Sequence, residues 1–362
     1  MDAGGSLVTE PYAVAHIHLD KVMTANRLKP AALAAYQLGT MDTRRSIRLA
    51  SKVKEGYTER DIQSRARHVV EAALRHGVTA MRAFADTDTV SELKAVRALM
   101  ALRTEFSGKV TIQVVAFPQE GIEADPGAEE YVERAMRIGA DVVGGIPWLE
   151  RDEARQKRHI DKMFSIARNY GKPVAMLVDD AGDPNLRTLE MLAAKTIAEG
   201  MVGNVQACHA RAMQLYPEAY ALRVARLCKR AGVGVVSSPH TGPLHTRIDL
   251  LTRSGVTVAL GQDDCSDAYY PFGRCNMLEV AFLASHILRR MTPGDVELLY
   301  DMITTNPAKI IGSGAGRLAA GGPADLVVLS EKGVTEALAV HGRPRAVVNR
   351  GILVAQAMEA GK

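Results

Sequence analysis

Short apolar runs recur along the chain, each ending in a polar tip and leading into a longer amphipathic stretch. The runs span 14–20, 79–86, 110–118, 140–147, 173–180, 205–210, 232–239 and 256–264. They are rich in Val, Ile and Ala and do not alternate with polar residues. Unbroken apolarity of this length suits strands buried on both faces of a parallel sheet. The stretches between them carry apolar residues at helical spacing: 59–76, 90–106, 128–138, 156–170, 186–199, 217–231 and 277–290. Gly77 stands as a stop signal directly after the first of these.

Eight strands alternating with helices predict an α/β chain closed into a TIM (β/α)8 barrel, rather than an open doubly wound sheet. No glycine-rich phosphate fingerprint follows the first strand, which counts against dinucleotide binding. The rhythm changes after about residue 313, where GRLAAGGPADLVVL and PRAVVNRGILVAQA read as two short strand groups. The expected division is therefore a barrel over 1–312 and a small β-strand appendage over 313–362.

Composition narrows the partners. Hydrophobic residues make up 47% and charged residues 24% of the 362, ordinary for a large buried core. The net charge is only +4, with Lys and Arg scattered among Asp and Glu, so nucleic acid is not expected as a partner. No apolar run is long enough to span a membrane. Cys208, Cys228, Cys265 and Cys275 form no C-x-x-C pair, and the chain opens without a basic, then apolar, leader. A reducing cytoplasm is the expected location.

In a TIM barrel the chemistry gathers at the C-terminal ends of the strands. Here those ends carry His16-Ile17-His18-Leu19-Asp20, Pro118-Gln119-Glu120, Pro147-Trp148-Leu149-Glu150, Asp179-Asp180, Cys208-His209, Pro239-His240 and Gln262-Asp263-Asp264. Residues i and i+2 of a strand face the same way, so His16 and His18 point together into the barrel mouth. With His209 and Asp263 at other tips, they offer imidazole and carboxylate ligands suited to one divalent transition metal ion: zinc, iron or manganese. Asp179 and Asp180 point to opposite sides, and either could instead cap the following helix. Trp148 could stack on a planar ring or merely wall the barrel.

These residues resemble the amidohydrolase superfamily, and within it the bacterial cytosine deaminase group. The resemblance rests on AHIHLDK at 15–21, VAFPQEG at 115–121, IGADVVGGIP at 138–147, CHARAM at 208–213, GQDDCSDAYYPFG at 261–273 and GGPADLVVL at 321–329. It implies that His16 and His18 bind the metal. Asp263 would be a further ligand that also takes a proton from the attacking water, and His209 would polarise water or substrate. Gln119 and Asp264 would bind the substrate ring, and Tyr269 would line its pocket. It also implies a small nitrogen heterocycle as substrate and a homo-oligomer.

The sequence departs from the group's pattern at several points. Where the group has H-C-D-E, this chain has Leu177-Val178-Asp179-Asp180. A leucine thus stands in place of a metal-binding histidine, and Asp180 in place of a proton-shuttling glutamate. Phe84 and Gln262 occupy positions where relatives often carry histidine, and the N-terminal strands of the usual β-sandwich are expected to be missing. His209 is then expected to move into the metal shell beside His16, His18 and Asp263. Asp180 is expected to carry protons, with Asp179 a second candidate beside the substrate. The expected activity is hydrolysis of a C–N bond of a small nitrogen heterocycle. The alternatives are a barrel that binds a heterocycle without hydrolysing it, and a metal-dependent lyase or decarboxylase.

Overall fold

The computed structural model describes residues 2–27, 30–37, 42–314 and 317–357. Eight parallel strands follow one another in chain order: β2 (Tyr12–Ile17), β3 (Val78–Asp86), β4 (Thr111–Phe117), β5 (Val142–Gly145), β6 (Val174–Val178), β7 (Val205–His209), β8 (Gly234–Ser237) and β9 (Val258–Leu260). A parallel bridge between Ile17 and Asp263 brings the last strand back to the first. The main chain closes the ring there: His18 N–H donates to the Asp263 carbonyl (2.9 Å) and Asp263 N–H to the His16 carbonyl (3.0 Å). The fold is the expected TIM barrel, and its seam runs between residues marked from the sequence as ligands.

The strands are buried along nearly their whole length, as their unbroken apolar runs require. The crossover helices sit where their spacing places them. Glu59–Arg75 starts at Thr58, whose side chain accepts from Asp61 N–H, and ends at Gly77, whose φ of 87° few other residues adopt. Glu153–Tyr170 is bounded in the same way by Asp152 and Gly171. Two helices not read from the sequence, Ala31–Gln37 and Thr43–Ala50, follow β2 and lie over the barrel mouth, contributing Tyr36, Thr43 and Ile47 to its cavity.

A second, antiparallel sheet has the order β1 (Val8–Thr9), β10 (Leu326–Val328), β11 (Ala346–Asn349) and β12 (Ile352–Gln356). Its C-terminal strands lie in the two groups read from the sequence. Val8–Thr9, assigned from the sequence to the barrel segment, pairs instead with Val327 and Val328. One N-terminal strand thus joins the small sheet, too short to show an apolar period. Residues 315–316 and 358–362 of the expected appendage lie outside the described residues.

Candidate metal and substrate site

Four side chains from three strand tips converge at the barrel mouth. His16 Nε2 lies 3.0 Å from Asp263 Oδ1, His209 Nε2 lies 3.7 Å from it and His18 Nε2 3.9 Å. Ligands about 2.0–2.1 Å from a tetrahedral ion stand roughly 3.3 Å apart, so these separations bracket what one ion needs. Donor atoms of His16, His209 and Asp263 lie within 4.8 Å of one another, as do those of His18, Asp263 and Asp264. His16 Nδ1 and Asp264 Oδ1 are buried without a hydrogen-bond partner among the described residues. The donor set and its spacing fit a divalent ion.

Aromatic rings orient the imidazoles. Phe84 meets the His16 ring edge-on at 4.4 Å between centroids, and Phe117 packs 5.6 Å from His18. At the β3 position where the resemblance often has a histidine, the chain thus supplies packing rather than a ligand. Asp263 and His209 adopt left-handed backbone (φ 67° and 69°), as does Asp179 (φ 47°). Such geometry costs a non-glycine residue roughly 1–3 kcal/mol and clusters at functional sites. Here it turns the chain sharply at the ends of β6 and β7 and just beyond β9.

The electrostatics separate the roles. Burial pushes His209 down to about 4 and, with Lys21 next in effect, holds His18 well below the usual histidine value. Both are therefore neutral at pH 7, the form that can ligate. Burial works against ionised Asp263, but His209, His16 and Arg211 hold it well below the usual carboxylate range. Asp264 goes the other way: burial, then the neighbouring Asp263 and Asp267, push it well above that range. Their surroundings thus push the adjacent aspartates in opposite directions, Asp263 toward the ionised form and Asp264 toward the neutral one.

A small cavity opens over these groups, lined by His18, His209, Asp263, Asp264, Asp180, Gln119 and Leu177 from the barrel side. Tyr269 joins them from the loop after β9, and Tyr36, Thr43 and Ile47 close it from above. Leu177 therefore faces the site that the lost histidine would have occupied. Tyr36 and Tyr269 meet edge-on, 5.5 Å between centroids.

Two residues marked from the sequence lie elsewhere. Asp179 is turned away from the cavity. Its carboxylate accepts from Thr188 N–H (2.7 Å), Thr188 Oγ1 (2.6 Å), Leu189 N–H (3.1 Å) and Tyr216 OH (2.6 Å). It caps the helix Thr188–Ala198, and its expected substrate contact is replaced by that role. Trp148 is fully buried and absent from the cavity wall, with the Arg44 guanidinium 5.5 Å from its ring centre. Its expected stacking on substrate gives way to packing, because the chain turns into a short helix (Pro147–Leu149) at that tip.

Four contributors escaped the sequence reading: Tyr36, Thr43, Ile47 and Arg211. Tyr36 and Ile47 carry no motif, only the helical spacing of their segments. Arg211 stands two residues after His209 in CHARAM, and an arginine that close to a strand-tip histidine was the available signal. A buried ionic cluster beside the site was also missed: Lys21 Nζ lies 2.6 Å from Asp86 Oδ1, and Lys54 Nζ bridges Asp86 (3.0 Å), Asp88 (2.6 Å) and Glu120 (2.8 Å). It pins the end of the overlying helical segment to the loop that carries Gln119.

Comparison with known proteins agrees with this fold. Residues 43–355 match the model of the amidohydrolase family. The chain is 29% identical over 360 residues to N-isopropylammelide isopropyl amidohydrolase of Pseudomonas sp. (strain ADP), covering 98% of this chain and 87% of that protein. It is 27% identical over 369 residues to pterin deaminase of Rhizobium rhizogenes, covering 98% and 82%. The crystal structure of 5-methylcytosine deaminase from Klebsiella pneumoniae superposes with a TM-score of 0.91 at 31% identity, covering 100% of this chain and 90% of that one. The chain belongs to the amidohydrolase family, with relatives that are hydrolases of carbon–nitrogen bonds other than peptide bonds.

Proposed function

We propose that the protein hydrolyses a C–N bond of a small nitrogen heterocycle, releasing ammonia or an amine, with one divalent ion at the barrel mouth. The observation that carries this reading is the convergence of His16, His18 and His209 on Asp263 Oδ1, beneath a cavity also lined by Gln119, Asp180 and Asp264. His16, His18, His209 and Asp263 hold the ion, which is zinc, iron or manganese. When bound, the ion supplies Lewis acidity that brings the pKa of water toward neutrality.

The chain's own groups divide the remaining work. Gln119 presents an amide to the amide-like edge of the ring, and Asp264, held neutral, donates to a ring nitrogen or carbonyl. The Asp263 carboxylate accepts a proton from the attacking water. Asp180 receives that proton from Asp263 and delivers it to the departing nitrogen, so that water is consumed, a C–O bond replaces C–N, the nitrogen leaves as a neutral amine and both carboxylates end as they began.

The test is amine release from a panel of aminopyrimidines, aminotriazines and pterins by the wild-type enzyme, metal-stripped enzyme and enzyme with zinc, iron(II) or manganese restored. Activity should vanish on stripping and return with one of the ions, and Asp263→Asn should lose about a hundredfold or more in kcat. Full activity without metal overturns the reading. Leu177 in the cavity wall favours a second reading, in which the barrel binds such a ring without cleaving it. Tight ligand binding by metal-loaded protein with no turnover would select that one.

A further inference from the structure

Arg211 is 1% exposed, yet it does not line the cavity. Its guanidinium reaches both carboxylates that the proposed reaction uses to move protons. Nε donates to Asp180 Oδ1 at 2.8 Å, and Nη2 donates to Asp263 Oδ2 at 3.3 Å. The same Nη2 donates to Thr241 Oγ1 at 2.9 Å, and Thr241 Oγ1 in turn donates to Asp263 Oδ2 at 2.8 Å. Nη1 is held by the Leu244 carbonyl at 3.2 Å, and Nη2 approaches His209 Nδ1 at 3.4 Å. Tyr36, part of the roof, covers the guanidinium face with 5.5 Å between Cζ and the ring centre.

We propose that Arg211 is a positioning residue: one rigid guanidinium fork sets the separation and orientation of Asp180 and Asp263. This rests on the hydrolase reading above. A guanidinium is planar, always charged and unable to accept a hydrogen bond, so it fixes two carboxylates in one plane in a way a lysine cannot. Each carboxylate is bound by the fork through one oxygen only. Asp263 Oδ1 stays turned to the three imidazoles. Asp180 itself lines the cavity. Pairing with Arg211 also restrains Asp180 from swinging onto an ion at the position left open by Leu177, where a carboxylate ligand could no longer deliver a proton.

Arg211→Gln, Arg211→Lys, Asp180→Asn and the double variant R211Q/D180N form the test, each measured for kcat, KM, bound metal per chain and melting temperature. R211Q should lower kcat about a hundredfold, with KM changed less than about threefold and metal content unchanged. R211K, which keeps the charge and loses the fork, should recover only part of it. The double variant should be little worse than either single one, because both remove the same link. If R211Q keeps kcat within about threefold of wild type, or if the two losses simply multiply, the proposal is overturned. Loss of metal or melting in step with activity overturns it too. The same cycle on melting temperature reads the Arg211–Asp180 link without turnover. Coupling there in a protein that cleaves nothing would leave the link standing and overturn the hydrolase reading instead; no coupling overturns the link itself.

Discussion

His16 carries a charge question that decides how the site loads. Burial alone would lower its pKa, but Cys208 and the hydrogen bond to Asp263 outweigh burial and push it up to about 10. The proton therefore sits on His16 throughout the neutral range and must leave before the nitrogen can ligate. Lowering pH raises the competing proton concentration, so ion affinity should fall about tenfold per unit from pH 8 to pH 6. A competition titration with a chromophoric chelator measures this, and a pH-independent affinity would place the proton elsewhere. Leu177 makes a second prediction. Its side chain lines the cavity over the ligands, so Leu177→His offers one more imidazole. The variant should hold zinc about ten- to a hundredfold more tightly. Equal affinity would mean that position 177 on β6 lies out of reach of the ion.

Strand tips, rather than strand interiors, bear the strain of the site. Asp179, His209 and Asp263 all sit at positive φ, and two of the three face the cavity while Asp179 anchors the next helix. Asp179→Ala should leave KM unchanged and lower stability by about 1–3 kcal/mol, since Thr188 and Leu189 N–H and the Tyr216 hydroxyl lose a buried acceptor. Urea denaturation checks it. The loop after β4 depends on Gly121, at φ 87°, where an added Cβ would lie 2.8 Å from Glu150 Oε1. Glu150 is not free to move: it accepts from Ile122 N–H (2.9 Å), Glu123 N–H (3.2 Å) and pairs with His159 Nδ1 (2.8 Å). Gly121→Ala should therefore shift Gln119, two residues earlier, and raise KM more than it lowers kcat. Unaltered KM would show that the loop absorbs the change.

At the scale of the whole molecule, the candidate ligands come from the first strand of the barrel and from its late strands β7 and β9, and the seam between β2 and β9 is held by main-chain bonds of His16, His18 and Asp263 themselves. An ion bound there ties the first strand to the last. Metal at a hundred times its Kd should stabilise the fold by about 2.7 kcal/mol, which for a chain this long corresponds to a melting shift of about 4 °C. Scanning calorimetry of stripped and reloaded protein checks it. No shift would mean that the ion bridges nothing that unfolding must break. The small sheet likewise joins both ends of the chain, through Val8–Thr9 against Val327 and Val328. No described helix is long and apolar enough to cross a membrane.

The barrel was legible because its strands are buried on both faces, and such burial leaves unbroken apolar runs that survive reading in one dimension. The convergence of His16, His18, His209 and Asp263 was legible because period-two geometry on β2 and the tip positions on β7 and β9 are local properties of the chain. Asp179 and Asp180 show where locality ends. Period two says that one of them leaves the cavity, but only the neighbouring helix start and Tyr216 show that Asp179 is the one. Trp148 and Arg211 exchange the roles their residue types suggest, since an aromatic ring went into the core and a guanidinium into the polar network. The tertiary structure alone decided this. Partners for a buried charge are chosen by folding from distant segments: 31 residues separate Arg211 from Asp180 and 52 separate it from Asp263. No pattern along the sequence records such a choice.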